Sequence, residues 1–171
     1  MNKRYELIKE ILESSDSPVT ASVLAERMSV SRQIIVGDIA LLRAGGADII
    51  ATSRGYLLNK EKNKAFEYTG IIPCQHGAEQ LKDELYTIVD FGGTVIDVSI
   101  EHSIYGEICG QLGLASRFDV DEFVKKVQES PNSTPISALT GGVHLHRIGC
   151  QSEDIFLKIK DALTDLGIVY K

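Results

Sequence analysis

The sequence lacks any apolar run near the roughly 20 residues that a helix needs to cross a bilayer. Its start, MNKRYELIKEILESS, has neither the apolar centre nor the cleavage site of a secretory signal. A chain that stays in the cytoplasm, with no membrane partner, is therefore expected. Cysteine is scarce too. Cys74, Cys109 and Cys150 are odd in number and show no C-x-x-C spacing, which argues against a disulfide framework and against a zinc ribbon. They read as reduced, mostly buried thiols. There are four histidines, and no H-E-x-x-H motif accompanies them. What is present is the balance of a soluble globular protein: 171 residues, 43% hydrophobic and 25% charged, enough for one ordinary domain or two small ones.

The formal net charge of -6 is unevenly spread. Residues 1–60 carry eight Lys and Arg against seven Asp and Glu, whereas residues 61–171 carry ten against seventeen. The two parts should do different jobs. Between them NKEKNKAFE, residues 59–67, reads as a linker or short connecting helix, which sets the boundary near residue 64 and gives domains 1–64 and 65–171.

In the first part, Leu7, Ile8, Ile11 and Leu12 of NKRYELIKEILESS recur at helical spacing. SDSP ends that helix; Thr20 is the N-cap candidate for a short second helix, TASVLAERM, and Ser31 for a longer third, RQIIVGDIALLRA. ADIIATSRGYLLN, two apolar runs around TSRG, reads as a hairpin. Three helices and a hairpin make a winged helix-turn-helix. At 100° per residue, Ile34, Ile35, Ile39, Leu41 and Leu42 share one side of the third helix with Asp38, and Arg32, Gln33, Val36, Gly37, Ala40 and Arg43 share the other. The second side suits a major groove. Arg32 and Gln33 can bond base edges, Val36 can meet a thymine methyl, and Arg54 at the hairpin tip can reach the backbone or minor groove. The expected DNA-binding set is Ser31, Arg32, Gln33, Val36, Arg43 and Arg54. Asp38 reads as a structural ion-pairing residue. A head with a net charge of only +1 binds phosphates weakly; it is either a protein-binding adaptor or half of a dimer on a two-fold operator.

From Tyr68 strands and helices alternate. YTGIIPC, GTVIDVSIEH, YGEICGQL, GGVHLHRIG and a short final IVYK read as strands, with Ile96, Val98 and Ile100 on one face of the second. GAEQLKDELYTIVDFG, VDEFVKKVQES capped by Asp119, and SEDIFLKIKDALTDLG read as helices, and PNSTP as a loop. The order predicts an α+β fold, a mixed or antiparallel sheet with helices on one face.

His144 and His146 stand two apart in a strand, so their side chains share a face and their imidazoles can converge on one ion. The alternative is a surface pair that happens to alternate. His76 sits at a strand-to-helix junction. On the helix that follows, Leu81, Leu85 and Ile88 form the buried stripe with Glu84 beside it, while Glu79 and Asp83 point away. A carboxylate at the edge of a buried face requires a partner. His76, Glu84, His144 and His146 form a nitrogen and oxygen set suited to zinc, nickel, iron or cobalt. Cys74 can also ligate, although it reads first as a small buried strand residue. His102 and Tyr105 are candidates for lining an effector cavity, with a satisfied core histidine as the other reading of His102.

Together SRQIIVGDIALLRAGGADIIATSRGYLL, QHGAEQLKDEL, VIDVSIEHSIYGEI and LTGGVHLHRI resemble the niacin-responsive transcriptional repressors of bacteria. That family joins a winged helix-turn-helix to a 3H domain, and the similarity covers almost the whole chain. The resemblance implies a homodimeric repressor of niacin uptake and NAD-related genes. It implies double-stranded operator DNA as partner and nicotinic acid as co-repressor. It also maps one divalent transition metal per chain, nickel or zinc, onto His76, Glu84, His144 and His146. The sequence departs at Gly37, where the family pattern leads one to expect a larger polar residue. The other readings are a metal-responsive regulator and a metal-dependent hydrolase; no nucleophile or base accompanies the histidines to support the latter.

Overall fold

The computed structural model describes residues 3–59, 66–130 and 134–171. The first residues of the opening helix, most of the linker expected over residues 59–67 and part of the PNSTP loop lie outside the described residues. The chain divides into two compact units, Met1–Asn63 and Lys64–Lys171, each considered by itself.

In the first unit α1 (Lys3–Ser14), α2 (Ala21–Arg27) and α3 (Arg32–Ala44) precede a hairpin of β1 (Ile49–Thr52) and β2 (Gly55–Leu58). Thr20 and Ser31 cap α2 and α3, their hydroxyls accepting from the N–H of Val23 and of Ile34. Ile8, Leu12, Leu24, Ile35, Ile39 and Ile49 are buried together, each contributing roughly 1.5–3 kcal/mol by leaving water. Val19 exchanges two backbone hydrogen bonds with Tyr56, tying the approach to α2 to the hairpin. On α3 the buried residues are Ile35, Asp38, Ile39 and Leu42, spaced i, i+3, i+4, i+7. Ile34 and Leu41, expected on the buried side, are 43% and 61% exposed, because they lie at the margin of that stripe. Asp38 is held by both Nε and Nη2 of Arg4 on α1, the second bond at 2.9 Å. This ion pair fixes α3 against α1, as its lone charge among apolar residues suggests.

The second unit runs β3 (Tyr68–Gln75), a 3₁₀ turn (Ala78–Gln80), α4 (Leu81–Asp90), β4 (Thr94–His102) and β5 (Gly106–Leu114). It continues through α5 (Arg117–Gln128), a second 3₁₀ turn (Ile136–Thr140), β6 (Val143–Cys150) and α6 (Glu153–Asp165). The four strands form an antiparallel sheet in the order β3-β6-β4-β5. Leu85 and Ile88 of α4, Val120 of α5, and Phe156, Ile159 and Leu163 of α6 pack with Ile72, Val95, Leu114 and Ile148 of the sheet. The fold is thus α+β with an antiparallel sheet.

Three local readings change. Ser116, not Asp119, is the N-cap of α5; Asp119 is the other half of a capping box, its carboxylate accepting from the Ser116 N–H. IVYK forms only an isolated bridge, Val169 to Cys74. On β4, Val95 pairs with Ile148 and Asp97 with Arg147, so Ile96 is the extra residue of a bulge. Val95, fully buried opposite Ile148, therefore takes the place on the face of Val98 and Ile100 expected of Ile96. Cys74 and Cys150 are buried, but Cys109 is exposed.

Candidate metal centre

Burial along β6 alternates, with His144, His146 and Ile148 buried and Leu145 and Arg147 exposed. Register places Cys74 opposite His144, and both Ile72 and Val98 opposite His146. The two histidines therefore face the helices, where α4 lays Glu84 over them. Glu84 is 0% exposed. His76, just past the end of β3, completes the group, and Leu145 turns to the opposite face of the sheet, 38% exposed.

All three Nε2 atoms converge on this one carboxylate. His76 lies 2.7 Å from Oε2, His144 3.1 Å from Oε1 and His146 3.3 Å from Oε2. Each Nδ1 faces a backbone carbonyl: Gly77 at 2.7 Å for His76, Gly142 at 2.8 Å for His144 and Asp97 at 3.0 Å for His146. A carbonyl only accepts, so each Nδ1 must donate, and the neutral ring then offers its lone pair at Nε2. Lone pairs aimed at a carboxylate repel it. The arrangement demands positive charge at its centre, supplied either by protons on the rings or by a cation. Orienting carbonyls of this kind are what fixes the tautomer of metal-ligating histidines.

The electrostatics agree. Burial alone would raise the Glu84 carboxyl, but the charge of His146 and hydrogen bonds from the three imidazoles hold it well below the usual range. For His76 burial is opposed by the hydrogen bond and charge of Glu84, and for His146 by the charge and hydrogen bond of Glu84; both are raised. The donor set fits a borderline divalent transition ion, which prefers imidazole and carboxylate ligands at a partly desolvated site.

The TGG before HLH has a local reason. Gly142 has φ of 90°, and a Cβ there would stand 2.4 Å from the His76 carbonyl oxygen, so only glycine lets β6 begin this close to His76. A cavity of about 220 Å³ opens beside it, lined by His76, Gly77, Leu81, Ser137 and Gly142 among others. His102 and Tyr105 do not line it. They lie in the β4–β5 turn, rings stacked at 5.1 Å, with the backbone N–H of Ile104 and Tyr105 donating to Nδ1 of His102. Sequence reasoning missed the three carbonyl acceptors, which carry no side-chain signal, and the Gly-lined cavity.

In the first unit Arg32, Gln33 and Arg43 are exposed on α3, while Val36 packs partly against the core. The Ser31 hydroxyl is engaged as the helix cap, and the Arg54 N–H in the hairpin turn donates to Thr52 Oγ1 at 3.1 Å. Gly37 is exposed with nothing within 4 Å of an added Cβ, so the glycine is not imposed by packing.

Comparison with known proteins matches residues 69–171 to the family described as 3H domain and residues 4–57 to one described as HTH domain. The chain is 40% identical over 167 residues to the Probable transcription repressor NiaR of Thermotoga maritima, across 98% of this chain and 93% of that protein. It is 41% identical over 171 residues to the Transcription repressor NadR of Bacillus subtilis, across 99% and 94% of the two. Among the described residues no helix is long and apolar enough to cross a membrane.

Proposed function

Because this chain belongs to the family of niacin-responsive transcription repressors that join an HTH domain to a 3H domain, we propose that it represses genes of niacin uptake or NAD biosynthesis when nicotinic acid binds a metal-bearing 3H domain. It is a DNA-binding repressor and not an enzyme. Residues 1–64 read operator DNA and residues 65–171 sense the ligand, in the cytoplasm where both are found.

The observation that carries the sensing half is the convergence of three Nε2 atoms on Glu84 with every Nδ1 committed to a carbonyl. His76, Glu84, His144 and His146 would hold one nickel or zinc ion, and that ion would offer a Lewis-acid position to a pyridine carboxylate. The cavity beside His76 is the better candidate for the effector than the exposed His102–Tyr105 turn. At about 220 Å³ it is smaller than the roughly 300–1,000 Å³ pockets that take drug-sized ligands, a size suited to a single ring. The reading half is supported by Arg32, Gln33 and Arg43, exposed along α3 behind the Ser31 cap, with Arg54 on the wing. A head so weakly charged needs a second copy, and two copies on a two-fold operator double the phosphate contacts.

The test is equilibrium dialysis of labelled nicotinate against zinc- or nickel-loaded protein. His144→Ala is expected to lose bound metal and nicotinate together, with far-UV circular dichroism unchanged. A His144→Ala protein that still binds nicotinate as the parent does overturns the reading.

A further inference from the structure

Cys74 is fully buried on β3, directly opposite His144 in the register, and so emerges on the same side of the sheet toward Glu84. Its Sγ, a carboxylate oxygen of Glu84 and a ring nitrogen of His144 all lie within 4.8 Å of one another. Among the described residues this is the one set of three ligating side chains that meets that limit. Donors held at about 2.0–2.1 Å and about 2.3 Å from one ion stand at most roughly 4.4 Å apart. A shift of a few tenths of an ångström, within reach of a thiol turning about χ1, brings Sγ into a shared coordination sphere.

The competing account is a small residue filling a strand position. Cys150 illustrates it: equally buried, it lies on β6 opposite Tyr68, the far end of the strand from His144, and its Sγ meets the Ser152 carbonyl oxygen at 3.2 Å. Cys74 is placed differently. Its Sγ makes a weak contact to the Ile72 carbonyl at 3.7 Å and also hydrogen-bonds to Glu84, the carboxylate at the centre of the histidine cluster.

We propose that Cys74 is a further ligand of this centre, giving a bound divalent ion one thiolate sulfur beside imidazole nitrogen and carboxylate oxygen. The proposal rests on the metal reading above. A thiolate shifts the preference of the site toward zinc, cobalt and nickel and away from magnesium, calcium and manganese. Sulfur ligates as the thiolate, so binding must release the thiol proton to solvent.

Zinc K-edge X-ray absorption on the full chain loaded with one equivalent of zinc tests this. The expected spectrum has a sulfur shell at about 2.3 Å beside nitrogen and oxygen at about 2.0–2.1 Å. Cys74→Ala should lose the sulfur shell, while Cys109→Ser and Cys150→Ala keep it. If Cys74→Ala does not fold, retention of sulfur by the other two variants still assigns it. Stoichiometric zinc with only light-atom neighbours overturns the Cys74 proposal and leaves the histidine centre standing; failure of the chain to retain zinc overturns both.

Discussion

Replacing Glu84 by glutamine keeps the side-chain volume and removes the charge on which three imidazoles converge. In chelated protein the carboxylate has no access to water, and its neighbours stand at 2.7, 3.1 and 3.3 Å. A hydrogen bond to a charged group contributes about 1.5–3 kcal/mol, and removing one partner of a buried pair costs about 3–5 kcal/mol. Glutamine can still donate to one Nε2 while the rings shed their protons, so the lower end, about 3 kcal/mol, is expected. For a unit of about a hundred residues that lowers Tm by roughly 10–20 °C.

The pH dependence has a definite sign. The depressed Glu84 stabilises the fold above the ordinary carboxylate value of 4.5 and loses this contribution as pH falls through its folded value. The raised His76 and His146 stabilise it below the ordinary imidazole value of 6.5 and lose their contribution as pH rises through their folded values. The Glu84→Gln deficit should therefore be greatest in mildly acidic solution and shrink toward alkaline pH. Urea unfolding followed by circular dichroism in chelator, from pH 5 to about 9, measures it. An unchanged urea midpoint, or a deficit that does not vary with pH, would refute an ionised carboxylate at the hub of the cluster.

Two further predictions concern single contacts. Arg4→Ala leaves Asp38 buried between α1 and α3 without its guanidinium, and should loosen α3 and weaken DNA binding while metal content stays the same. Parent-like DNA affinity in a gel-shift titration would show that the pair does not orient the helix. Gly142→Ala imposes a positive φ on an L-residue, about 1–3 kcal/mol of strain, and drives a methyl into the His76 carbonyl. It should cut metal affinity, measured by competition with a chelating dye, more than substitution of the open Gly141 does.

Much of this architecture is legible in the chain because local signals agree. Thr20 and Ser31 announce α2 and α3, and the i, i+4, i+7 spacing of Leu81, Leu85 and Ile88 tells which way Glu84 leans. The alternation in VHLHRI left open what covers the histidine face. The structure answers that α4 does, with Leu145 turned away on the other side. Other features escaped pattern reading. The bulge at Ile96 exchanges it with Val95, because period-2 alternation holds only while pairing is continuous. Helical projection gives directions but not neighbours, so Ile34 and Leu41 were expected to be buried with nothing there to cover them. The carbonyls of Gly77, Gly142 and Asp97 that orient the imidazoles belong to the backbone, and only the fold brings them to the rings.

The central claim is that nicotinic acid and metal act together on DNA binding. An effector that tightens DNA must bind the DNA-competent state better than the other, and chelation must abolish the difference. Operator duplexes can be selected from a random pool by metal-loaded protein with nicotinate present. Their affinity should then be measured with and without nicotinate, for metal-loaded and for chelated protein. The account predicts tight binding only when metal and nicotinate are both present, with the other three conditions alike and weak. Full-strength binding with metal alone would make the chain a metal sensor, and a nicotinate response that survives chelation would contradict the metal centre as the site of sensing.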